Sequence, residues 1–121
     1  MAASTPALEV AEKYHNAWTT GDLEGAMGYV ADEVVVHAPG AEIAGKGAYR
    51  EYLGGFMQML TGLTNLAAFG DDDGAVLYYF PHTPFAQTAP AAEFFTVTDG
   101  KISESHLVFD RMSFGPPPEQ G

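Results

Sequence analysis

Two turn signals, the DDDG cluster at Asp71 to Gly74 and Asp99-Gly100, divide the second half of the chain into paired runs rich in β-branched and aromatic residues. The runs are Leu63 to Phe69 and Ala75 to Phe80 around the first signal, then Ala92 to Thr98 and Lys101 to Ser113 around the second. Tight turns between strands leave little choice but an antiparallel meander. Between the hairpins lies PHTPFAQTAP, whose prolines predict an irregular edge or a lid. The first half has a different period. Thr5-Pro6 is a cap and first turn, and Leu8, Ala11, Tyr14 or His15, and Trp18 recur at helical spacing as far as Thr20, with Gly21 as the stop. Asp22 caps a second short helix through Leu23, Met27 and Val30, and Glu33 to His37 reads as a strand ended by Pro39-Gly40. The segment AEIAGKG has no periodicity and is expected to be loop. A third helix is expected from Ala48 to Leu60 on the stripe Tyr49, Tyr52, Leu53, Phe56 and Leu60. Its Gly54-Gly55 pair costs roughly 1 kcal/mol per glycine unless something packs closely there.

Helices followed by a meander predict an α+β domain in which the helices cover one concave face of a curved sheet. The space between the layers becomes a pocket. With 121 residues and 46% hydrophobic content there is material for one core, so the expectation is a single domain over residues 1–113 and a disordered proline-rich tail over 114–121, ending GPPPEQG. The absence of Cys removes disulfides and thiolate chemistry. A formal charge of -11 argues against nucleic acid and anionic membrane surfaces as partners. No apolar run approaches a membrane span and the first six residues lack signal-peptide character, so a cytoplasmic protein is the expectation.

The last run, KISESHLVFDRMS, carries the most chemistry. Counting alternate positions puts Glu104, His106, Val108, Asp110 and Met112 on one face and Ser105, Leu107, Phe109 and Arg111 on the other. If the first face lines the pocket, three ionisable groups become candidates.

Several strings in this order resemble the nuclear transport factor 2-like superfamily, in particular its SnoaL-like polyketide cyclase and ketosteroid isomerase branch. They are YHNAWTTGDLEGAMGYVADEVVVHAPG, GKGAYREYL and DGKISESHLVFDRM. The resemblance implies a cone-shaped α+β barrel around an apolar cavity, commonly a homodimer through the outer sheet face, in a superfamily that hosts isomerases, cyclases, epoxide hydrolases, dehydratases and non-catalytic binders. It implies for Tyr14 the part of oxyanion-hole tyrosine, against an ordinary core tyrosine, and for Glu93 that of a buried protonated acid, against a surface residue. The isomerase base falls at Ala38, which cannot accept a proton. Asp110 resembles the acid/base aspartate of SnoaL-type cyclases and is the expected replacement. His106 stands where many relatives carry tryptophan and is either a titrating cavity wall or a core histidine.

His37 and His82 are expected at the surface or rim and His15 on the helix surface. No HxxxH or HxH pair occurs, so no metal and no cofactor are expected. GxSxG, P-loop and dinucleotide fingerprints are absent too. Trp18, Met27, Val34, Val36, Tyr52, Phe56, Met59, Tyr78, Phe80, Phe95, Val97 and Met112 are the expected cavity wall, a lining suited to a small hydrophobic molecule and equally to a packed core. The leading expectation is a cofactor-independent enzyme that moves a proton on a hydrophobic carbonyl compound, by isomerisation or aldol-type cyclisation. A non-catalytic binding or dimerisation domain is the alternative, and a hydrolase or dehydratase using Asp110 with His106 is a third reading.

Overall fold

The computed structural model describes residues 5–84 and 89–109. Helix α1 (Pro6–Thr19) begins where Thr5 accepts the Leu8 amide at 3.3 Å, and α2 (Leu23–Met27) where Asp22 accepts the Gly25 amide at 2.8 Å. Both caps satisfy amides that no helical carbonyl can reach. The remaining elements are β1 (Val30–Ala38), β2 (Ala41–Ala44), α3 (Lys46–Met57), β3 (Gly62–Gly70), β4 (Gly74–His82), β5 (Ala91–Thr98) and β6 (Lys101–Phe109). They form an α+β domain with one curved, unclosed six-stranded sheet in the order β2-β1-β6-β5-β4-β3. All pairings are antiparallel except β1 with β6, which run parallel.

The Asp99-Gly100 turn has positive φ at both central residues, 54° and 77°, the geometry whose twist matches a two-residue hairpin. Ile102 and Ser105 are both buried although three residues apart. The irregularity between Thr96/Val97 and Glu104/Ile102 absorbs the extra residue. From Ser105 onward the strand alternates regularly.

Three boundaries differ from the sequence reading. Val30 opens β1 rather than closing α2. The aperiodic AEIAGKG holds β2, paired to β1 across Pro39-Gly40, and the start of α3. Its side chains are mostly exposed, so pairing is driven by backbone hydrogen bonds that leave no hydrophobic pattern to read. Helix α3 ends at Met57, leaving Met59 outside it. Of the two glycines in α3, Gly54 is the tightly packed one: a Cβ there would lie 3.3 Å from Leu23 Cδ2, whereas Gly55 faces open space. In the proline-rich stretch, Pro81 and His82 finish β4 and residues 85–88 lie outside the described residues, as does the expected tail.

Helix α1 lays Ala7, Leu8, Ala11, Tyr14, His15 and Trp18 against the concave face. The sheet answers with Ala75, Leu77 and Tyr79 of β4, Ala91, Glu93, Phe95 and Val97 of β5, and Ile102 and Ser105 of β6. Glu93 is the one carboxylate among these buried residues. The convex face carries Val76, Tyr78, Phe94 and Val108, all exposed. Among the described residues no helix is long and apolar enough to cross a membrane.

Candidate active site

The inward face of β5 sets Glu93 between Tyr79 of β4 and Ser105 of β6, and the helices close over it from the other side. Ser105 Oγ donates to Glu93 Oε2 at 2.8 Å and Tyr49 Oη donates to the same oxygen at 3.3 Å. Tyr79 also hydrogen-bonds the carboxyl. The Tyr14 hydroxyl in turn hydrogen-bonds that of Tyr49. With the Tyr49 proton directed at Glu93, the proton between the two phenols comes from Tyr14, giving a relay Tyr14 to Tyr49 to Glu93. Phe95, edge-on to Tyr14 with centroids 5.5 Å apart, walls the relay off from water.

Burial dominates the electrostatics. It lifts the Glu93 carboxyl from 4.5 to about 7, against the Ser105, Tyr49 and Tyr79 hydrogen bonds, which lower it. Tyr14, Tyr49 and Tyr79 are pushed well above the ordinary phenol value, first by desolvation and then by the neighbouring carboxylate or phenols. Glu93 is therefore shared between its acid and its carboxylate near neutrality. Such a group can accept a proton or return one without leaving the physiological range.

Glu93, Tyr49 and Tyr79 open onto a cavity of about 40 Å³ completed by Trp18, Tyr52, Leu53, Phe56, Ala91, Leu107 and Phe109. Its surface is almost wholly apolar. A water needs roughly 10–15 Å³ of such space, so the cavity holds a few waters or a small fragment. Pockets for larger ligands are several times bigger.

The structure sorts the sequence candidates unevenly. Tyr14 and Glu93 come together in one network, although Tyr14 does not border the cavity and reaches it through Tyr49. Trp18, Tyr52 and Phe56 line the cavity. Met27, Val34, Val36, Phe95 and Val97 are buried core residues that do not border it, and Met59 is half-buried beyond the end of α3. Asp110 and Met112 lie outside the described residues.

Four expectations need correction. His106 is exposed on the convex face of β6, because Ser105, Leu107 and Phe109 are the residues that turn inward. The alternation was legible, but the face rich in ionisable groups is the outer one. Placing Asp110 in phase with His106 consequently no longer argues for the pocket. Tyr78 and Phe80 lie on the opposite side of β4 from the cavity, their rings 6.2 Å apart, while Leu77 and Tyr79 turn inward. In a strand reading Leu-Tyr-Tyr-Phe either phase is equally apolar, and burial of Tyr79 decides it. His15 is not on the helix surface. It is 5% exposed, with Nε2 on Asn65 Oδ1 at 3.2 Å and its ring against Tyr79, and burial lowers it from 6.5 to about 4. His82 sits at the end of β4 with Nε2 2.9 Å from Thr64 Oγ1, and His37 is half-buried on the convex side of β1.

Sequence reasoning missed Tyr49, Tyr79 and Ser105. Tyr49 was visible only as part of an apolar stripe. Ser105 offered one clue, a small hydroxyl in phase with Leu107 and Phe109.

A SnoaL-like domain model matches residues 11–105. The chain belongs to the SnoaL-like family. A crystal structure of a protein from Kribbella flavida DSM 17836 is 43% identical, with a TM-score of 0.87 over 90% of each chain. A second protein from that organism, described as a candidate ketosteroid isomerase, is 20% identical with a TM-score of 0.75, over 94% of this chain and 84% of its own. A candidate polyketide cyclase from Sinorhizobium meliloti is 19% identical with a TM-score of 0.71, over 83% and 94%. The last two likenesses show the shared fold of this SnoaL-like chain. No sequence among curated proteins matches it.

Proposed function

We propose that this SnoaL-like domain is a cofactor-independent acid/base enzyme that shuttles a proton on a small carbonyl compound, with Glu93 as the shuttle. The observation that carries the reading is a fully buried carboxyl, raised to about 7, at the wall of an apolar cavity. Ionised Glu93 takes a proton alpha to the carbonyl. Once the carboxyl is neutral it no longer demands the Tyr49 proton, and the Tyr49 or Tyr79 hydroxyl is free to donate to the developing enolate oxygen where no water competes. Protonated Glu93 then returns the proton to another carbon. Tyr14 supports Tyr49 and is a positioning residue. The 40 Å³ cavity favours a ring-sized fragment over a polyketide or steroid skeleton.

The test is conversion of 3-cyclohexen-1-one to its conjugated isomer, followed by ultraviolet absorbance. Glu93→Gln is expected to lose at least a hundredfold in kcat/KM, and Tyr49→Phe a smaller factor. Full activity in Glu93→Gln would exclude this mechanism, and loss only in Asp110→Asn would transfer the base to Asp110. Ala38 at the isomerase base position and the small cavity favour a second reading, a binding domain without turnover. In that case phenol, a stable mimic of an enol, still perturbs Glu93 in NMR titration while no variant has turnover to lose. We also propose that the exposed convex residues Val76, Tyr78, Phe94 and Val108 pair two copies as a homodimer, the arrangement that resemblance to the superfamily implies.

A further inference from the structure

The convex face carries a second cluster that the proton-transfer site does not use. On the parallel pair β1–β6, His37 and His106 are direct register partners, and Glu104 stands two residues before His106 on the same face. One ligand atom from each of His37, Glu104 and His106 lies within 4.8 Å of the other two. His37 Nε2 is 2.8 Å from Glu104 Oε2, and His106 Nε2 is 3.7 Å from that same oxygen. The far side of the His37 ring is also occupied, with Nδ1 3.3 Å from Glu42 Oε1.

We propose that His37, Glu104 and His106 form a zinc site on the outer face of the sheet. A tetrahedral zinc with bonds of about 2.0–2.1 Å needs donors roughly 3.3 Å apart, close to the two nitrogen–oxygen spacings already present. The two imidazole rings are stacked, with centroids 4.4 Å apart and planes 14° from parallel, so they must tilt for their lone pairs to converge. Side chains that are 34%, 43% and 49% exposed in the single chain have room to do so, with His106 beside Phe94, ring centroids 6.2 Å apart, at the border of the face proposed above to pair two copies. Glu42 supplies what a metal-bound histidine needs behind it, a carboxylate placed to accept the Nδ1 proton once Nε2 is on the metal. In the metal-free chain His37 Nε2 hydrogen-bonds Glu104 Oε2, and a bound zinc would take the place of the proton between them. Two nitrogens and one oxygen suit zinc rather than magnesium or calcium, and the charge of -11 draws cations to the surface. Three protein ligands leave one position for water. Sequence spacing pointed the other way, because the ligands come from strands at opposite ends of the chain.

The experiment is calorimetric titration of the chelator-treated full chain with zinc chloride in two buffers of different ionisation enthalpy, with circular dichroism of each variant to confirm folding. The expected result is one zinc per chain at micromolar affinity or tighter. His37→Gln, Glu104→Gln and His106→Gln each weaken it at least tenfold, and His82→Gln leaves it unchanged. Absence of saturable binding, or binding that survives in the His37→Gln/His106→Gln double variant, overturns the proposal.

Discussion

Glu93 and His15 are expected to make opposite contributions to stability across the same pH window. The folded state holds the Glu93 carboxyl at about 7 against 4.5 for the free group. Between those values the native chain keeps a proton that the unfolded chain releases, so the stability this provides below pH 4.5 is lost as pH rises through 7. A shift of this size corresponds to about 3 kcal/mol. His15 runs the other way. Its folded value is about 4 against 6.5 free, so its contribution is complete above pH 6.5 and is lost as pH falls toward 4, again by about 3 kcal/mol. From pH 4.5 to 6.5 the two slopes cancel. Urea unfolding of the native chain, Glu93→Gln and His15→Gln at half-unit steps from pH 4 to 8 separates them. The stability of Glu93→Gln relative to the native chain should rise by about 3 kcal/mol between pH 4.5 and 7.5, and that of His15→Gln should fall by a similar amount between pH 4 and 6.5. A Glu93→Gln difference that stays flat across the window would show that the carboxyl is not held neutral by burial, and would remove the acid/base argument with it.

Ser105→Ala deletes a donor to the ionised form of Glu93, so the carboxyl should titrate higher still, by roughly one pH unit, measurable by NMR on side-chain-labelled glutamate. Tyr14→Phe leaves Tyr49 without its donor partner; kcat is expected to fall with little change in KM in the cyclohexenone assay, since Tyr14 does not border the cavity. Trp18→Ala removes the largest fully buried side chain and should cost about 3–5 kcal/mol in urea unfolding. Phe94→Glu, on the exposed convex face, should leave the fold intact and shift the chain to monomer in light scattering, and an unchanged mass would argue against pairing through that face.

The elements were legible in the sequence where side-chain pattern and turn chemistry agree. Asp99-Gly100 announced a tight hairpin, Thr5-Pro6 and Asp22 announced helix starts, and each is found in place. Strand β2 was illegible because only Ile43 of its four side chains packs on the core, too little to make a pattern. The site was half legible. Glu93 and Tyr14 came from resemblance, but Tyr49, Tyr79 and Ser105 become polar partners only when α3, β4 and β6 converge. Choosing the inner face of a strand was the weakest step. In β4 both phases are apolar, and in β6 the charged face draws attention although it is Ser105, Leu107 and Phe109 that the helices cover.

The parallel pairing of β1 with β6 has a consequence in time. Among the described residues, β1 joins the rest of the sheet only through β6, the strand furthest along the chain. Until β6 arrives, the concave face has no Ser105 or Ile102, and α1 has an unfinished surface on which to rest. Closing so long a loop before its contacts repay the entropy makes for slow folding. A ribosome-bound chain shorter than about residue 105 should therefore be an attractive client for chaperones, and release of β6 from the exit tunnel should be the event that commits the molecule to its native shape.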